Sequence, residues 1–150
     1  MRVYGGDFIR EMLRKLNSLR KVSGEVTLSR SHSVGGKVNV FSAKTSRIVR
    51  RLQDSDCEKI LIFVDGDGQN TDEVKASLKN IVGNKNVYYV VFKTEIEEWI
   101  VPDSSKPSEY LKSHQDYDKN DLPKLAEKIN FNLVSGKASF QDFLKAIDDP

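Results

Sequence analysis

Apolar residues along this chain follow two different patterns. Phe8, Ile9, Met12, Leu13, Leu16 and Leu19 recur every three or four positions, the spacing of one helix face. The same period predicts a helix over 45–53, with Ile48, Val49 and Leu52 inward and Arg47, Arg50 and Arg51 mostly outward. It predicts another after Asn70 or Thr71, either of which can cap it, with Val74, Leu78 and Ile81 on the inner side and Gly83 closing it. A last one carries Phe140, Phe143, Leu144 and Ile147, with Ser139 as its cap. Two stretches, 60–64 and 87–92, are apolar without alternation. Runs of that length and β-branched content suit strands buried on both faces, as in a parallel sheet covered by helices. Strand, helix, strand in succession implies a right-handed parallel crossover.

The remaining stretches are less regular. Val3 and Tyr4 look like the tail of a strand, Gly5 and Gly6 like a turn, and Asp7 like the cap of the first helix. Residues 25–29 alternate as a short strand does, residues 30–36 form a polar loop, and residues 38–41 extend or prepare the next element. Short helical turns are expected after Lys93, stopped near Pro102, and at 107–112 and 122–129. A single α/β domain over residues 1–150 is expected, with a mostly parallel central sheet, helices on both faces and a helical tail from about 104 to 150.

Composition narrows the classes. No apolar run approaches the ~20 residues that span a bilayer, and residues 1–7 lack the pattern of a secretory signal. A cytoplasmic location and no membrane partner are the expectation. One cysteine, Cys57, and two histidines, His32 and His114, assemble no zinc set, so a metal here would be a hard cation held by oxygen. The formal net charge of +2 is unevenly spread, because residues 1–51 carry 12 Lys or Arg against 3 Asp or Glu. Such a basic third suits a polyanionic partner and equally a set of solvated helix faces. Arg30, Lys37, Lys44, Arg47 and Arg51 are the candidates to meet a phosphate backbone.

The first apolar run ends in Asp65-Gly66-Asp67-Gly68. In open α/β sheets ligands bind beyond the carboxyl ends of strands. In an extended segment residues two apart point to one side, so both carboxylates can face one cation; a tight Asp-Gly turn with no ligand explains the same four residues. The second run is also followed by acids, Glu95, Glu97 and Glu98. Two carboxylate sets at one sheet edge repel each other unless a cation lies between them, and Mg²⁺ or Mn²⁺ suits such ligands. Trp99 is expected as a core anchor, and Tyr88 and Tyr89 point to opposite faces of their strand.

These residues resemble a Toprim domain, the catalytic α/β module of topoisomerases, primases and OLD-family nucleases. Residues 64–68 match its Asp-x-Asp signature. Residues 96–103, Ile-Glu-Glu-Trp-Ile-Val-Pro-Asp, are similar to a motif of small standalone Toprim-like proteins, whose tail also carries Lys-x-x-x-Pro and Ser-Phe-x-x-Phe, here Lys119 to Pro123 and Ser139 to Phe143. The resemblance implies a Rossmann-like Toprim fold with Asp65 and Asp67 holding Mg²⁺ and Glu97 completing the site. It also implies a glutamate ending the first strand as general acid or base, where this chain has Tyr4. Asp7 is the nearest substitute, unless the first strand begins further upstream.

The leading expectation is a Mg²⁺-dependent nucleic-acid phosphodiester enzyme, a nuclease or nucleotidyl-transfer module, using Asp65, Asp67, Glu97 and Asp7, with Glu95 or Glu98 sharing any second metal. The alternative is a Toprim-derived module that binds nucleic acid or a protein partner without catalysis. A phosphatase with Asp65 as nucleophile and Asp67 as acid ranks third.

Overall fold

The computed structural model describes residues 4–19, 41–55, 58–83 and 85–148. The strand expected at 25–29, the loop at 30–36 with Arg30 and His32, Lys37 and Cys57 all lie outside these residues.

Two six-residue strands, β1 (Ile60–Asp65) and β2 (Val87–Phe92), pair in parallel with Ile60 opposite Val87 and Asp65 opposite Phe92. Between them runs α3 (Thr71–Val82), following α1 (Tyr4–Ser18) and α2 (Ala43–Gln53). The amide N–H groups of Asp72 and Glu73 donate to the side chain of Asn70, and the same two acids lie in the helix's first turn. Gly83, at a φ of 86°, ends α3. After β2 come a 3₁₀ turn (Ile96–Trp99), α4 (Pro107–Gln115), a 3₁₀ segment (Lys119–Lys128), α5 (Phe131–Val134) and α6 (Ala138–Asp148).

Strand alternation sorts the core into two layers. Ile60, Ile62, Val64, Val87, Tyr89 and Val91 pack with Val49 of α2 and with Val74 and Leu78 of α3. Val90 and Phe92, with Leu61 and Phe63 packed alongside, face the other way. There they meet the stripe of α1, the 3₁₀ elements and α6 around Trp99. Helices thus cover both sides of the sheet, as the apolar runs predict. Among the described residues that sheet has two strands, fewer than the central sheet anticipated, and no helix is long and apolar enough to cross a membrane.

Three local expectations are corrected. Tyr4, Gly5 and Gly6 open α1 instead of closing a strand. The buried stripe Phe8, Ile9, Met12, Leu13 and Leu16 packs against Leu122, Leu125, Ala126 and Ile129, and this burial outweighs the ~1 kcal/mol that a glycine costs a helix. Asp7 therefore lies in the first turn and does not cap; its carboxylate accepts from Arg10 Nη1 at 3.1 Å. Ser139 is likewise inside α6, not ahead of it, because the helix begins at Ala138. Its buried hydroxyl accepts from Trp99 Nε1 at 2.8 Å and donates to Glu98.

Candidate metal and phosphate site

β1 delivers Asp65 to the carboxyl edge of the sheet, and the turn beyond it is tied to the chain leaving β2. The N–H of Gly66 donates to Phe92 O at 2.7 Å, that of Gly68 to Lys93 O at 2.9 Å and that of Asp67 to Thr94 O at 3.1 Å. A Cβ on Gly66 would lie 2.4 Å from Phe92 O and 3.1 Å from Lys93 O, both fixed backbone atoms. Gly66→Ala is therefore expected to force this turn open, lowering stability by about 1–3 kcal/mol as overpacking does; a urea midpoint unchanged from the parent would contradict this. Asp67 and Gly68 have φ of 50° and 81°. Extended alternation stops at Asp65, so Asp67 reaches the neighbourhood through a left-handed turn and not by sharing a strand face. Asp67 is exposed.

The 3₁₀ turn after β2 carries the second acidic set. Glu95, Glu97 and Glu98 have separate partners. Glu95 accepts the N–H of Ser108 at 2.7 Å, serving the start of α4, whose own capping residue Lys106 makes no side-chain bond there. Glu98 is buried and accepts from Thr94 N–H at 3.1 Å and from Ser139 Oγ at 3.2 Å. Burial pushes its carboxyl above the usual range, and these donors oppose the rise.

Glu97 is 0% exposed. Tyr117 donates to its Oε1 at 3.0 Å, and Lys119 Nζ donates to the same oxygen. Its other oxygen, Oε2, is buried with no hydrogen-bond partner. A bare carboxylate oxygen in a protein interior is costly unless something else compensates it. Tyr117 is pushed up by burial and then by the Glu97 charge, which keeps its hydroxyl protonated as a donor.

Asp65 is raised to about 6, first by burial and then by the Glu97 charge; Lys119 opposes the rise, and Asp67 and Glu95 add to it. The sheet edge thus brings Asp65, Glu97, Lys119, Asp67 and Glu95 into one electrostatic neighbourhood. Asp7 is held instead on α1 with Arg10. Lys44, Arg47 and Arg51 lie at i, i+3 and i+7 on an exposed face of α2 and are not among the charges acting most strongly on Asp65. Among the described residues no three His, Cys, Asp or Glu side chains already converge on one metal position. Asp65 and Glu97 nonetheless fit a hard cation by donor chemistry, because both are carboxylates and Glu97 Oε2 has no other occupation.

Tyr117 and Lys119 were not assigned to the site by their sequence. The Lys-x-x-x-Pro segment was the one signal available for Lys119, and Tyr117, between Asp116 and Asp118, has no periodicity to mark it. No family model, curated protein or solved structure matches this chain.

Proposed function

We propose that this chain is a Toprim-like, Mg²⁺-dependent phosphodiester enzyme acting on nucleic acid, of nuclease or nucleotidyl-transfer type. The observation that carries the reading is the unpartnered, fully buried Oε2 of Glu97 beside an Asp65 of raised pKa. A half-buried carboxylate at a strand end, repelled by a buried one on the turn after the neighbouring strand, is the expected form of a cation site before its cation binds. Asp65 and Glu97 would hold the metal, and Asp67, in the exposed turn, would complete its surroundings. When bound, a divalent cation supplies charge stabilisation to a phosphoryl oxygen and lowers the pKa of water. Tyr117 fixes the Glu97 carboxylate through Oε1, leaving Oε2 as its available ligand atom. The exposed face of α2 with Lys44, Arg47 and Arg51 offers cations to a phosphate backbone.

One observation favours the second reading, a binding module without catalysis: at the start of α1 Asp7 is paired with Arg10, and among the described residues it does not stand at a strand end as the family's first-strand glutamate does. Calorimetry with Mg²⁺ and Mn²⁺ on the parent and on Asp65→Asn/Asp67→Asn, followed by assays on labelled single- and double-stranded DNA and RNA, separates the two. Metal binding lost in the variant together with metal-dependent cleavage by the parent is the expected outcome. Binding without cleavage selects the binding module, and absence of binding in the parent removes the metal site altogether.

A further inference from the structure

Glu97 is fully buried, and a charge in that position is costly without an opposite charge beside it. The compensating charge in the structure is Lys119, whose ammonium donates to Oε1. Three further acids, Asp65, Asp67 and Glu95, belong to the same neighbourhood, and among the described residues Lys119 is the cation that acts on Asp65 as well as on Glu97. We propose that Lys119 is the resident counter-ion of this site and competes with the divalent cation for it, so that metal binding drives the lysine off Glu97. This inference rests on the metal reading given above.

Three features support a competing cation over a permanent one. The Lys119 side chain is 56% exposed although its partner is 0% exposed. It reaches inward from the surface, and releasing it returns the ammonium to water at little desolvation cost. The two donors on Glu97 also differ. Tyr117 is buried and stays packed in the core around Trp99, so Glu97 keeps its orientation when the lysine departs. Finally, the free atom is Oε2, not Oε1. Oε2 carries no protein donor, and a doubly charged ion held there repels an ammonium on the other oxygen of the same carboxylate.

The same geometry makes the occupant of the site sensitive to ionic conditions. The Lys119 pair is reached by solvent, so salt weakens it, whereas a metal held by the buried Glu97 is screened less. The lysine thus keeps Glu97 paired at low metal concentration and gives way at high concentration.

The test is titration of the full chain with Mn²⁺ alone by calorimetry, near pH 8, for the parent, Lys119→Met and Lys119→Arg, with circular dichroism melts as a check of folding. Lys119→Met is expected to bind Mn²⁺ at least about tenfold more tightly, the like charge having been removed, while Lys119→Arg keeps a cation and stays near the parent. Binding by Lys119→Met alone, with none by the parent, also supports the competition. Should Lys119→Met fail to fold, Lys119→Gln takes its place, with the same tightening expected. Parental binding that is unchanged or weakened in the neutral variant overturns the lysine proposal and leaves the metal reading standing. No Mn²⁺ binding by any of these proteins overturns both.

Discussion

Replacing Trp99 by alanine is expected to remove about 3–5 kcal/mol of stability, the cost of deleting a fully buried aromatic side chain. A domain of ordinary stability has only about 5–15 kcal/mol in total, so much of the variant should be unfolded at modest urea concentrations. Trp99 is 0% exposed. Its ring stands edge-on to Phe92 of β2 and to Phe140 of α6, with centroids 5.2 and 5.3 Å away, and close to Phe143 at 5.2 Å and Phe8 of α1 at 6.4 Å. It therefore joins the sheet to helices from both ends of the chain. Its Nε1–H donates to Ser139 Oγ, which donates in turn to Glu98, so the variant also loosens a buried polar chain. Urea unfolding followed by far-ultraviolet circular dichroism measures the change; a loss under about 1 kcal/mol would show that the ring is not the anchor its contacts imply.

Asp65→Asn is expected to make the metal-free protein more stable, and to do so only above the acid range. Asp65 is raised from 3.8 to about 6. The folded state therefore holds that proton more tightly than the unfolded state. Asp65 contributes stability that is fully present below pH 3.8 and is lost as pH rises through about 6. A rise of that size corresponds to at most ~3 kcal/mol, and solvent screening at a partly exposed group reduces the expected gain to about 2 kcal/mol. Paired urea titrations should give closely similar stabilities for parent and variant near pH 4 and a variant advantage by about pH 8. Added Mg²⁺ should narrow or reverse that advantage, since a cation that binds only the folded parent stabilises it by mass action. Equal stabilities at every pH would mean that Asp65 is better solvated than its position beside Glu97 suggests. A stabilised variant without metal binding is also the control the functional assay needs, because loss of binding then cannot be ascribed to unfolding.

Both experiments concern side chains whose importance depends on what surrounds them. The strand 60–65, the cap at Asn70, the stop at Gly83 and the strand 87–92 were legible because each rests on a local rule: unbroken apolar runs, an Asn side chain on free N–H groups, a glycine at positive φ. The stripe on α6 was legible for the same reason, and the parallel pairing followed from strand, helix, strand. Where expectation failed, a distant partner was responsible. Residues 4–6 read locally as strand and turn, but the stripe that follows them finds Leu122, Leu125 and Ala126 more than a hundred residues away. Lys15 strengthens that contact by donating to the carbonyls of Glu127 and Ile129. Ser139 looked like a cap until Trp99 and Glu98 drew its hydroxyl into the core.

The last third of the chain shows the largest gap between pattern and role. Its residues offered little chemistry in sequence order, yet they form much of the layer opposite α3 and bring Tyr117 and Lys119 onto Glu97. Sequence by itself determined that Asp65 would stand at the carboxyl edge of a buried parallel strand, and that acids would follow the neighbouring strand, because period and composition act over a few residues. Only the tertiary structure decided which of the acids are engaged and which is left with a free oxygen. Glu95, Glu97 and Glu98 are nearly consecutive, and nothing local distinguishes them. They differ because Ser108, Ser139 and the Tyr117–Lys119 pair arrive from separate parts of the fold, and burial makes each of those arrivals decisive for the charge it meets.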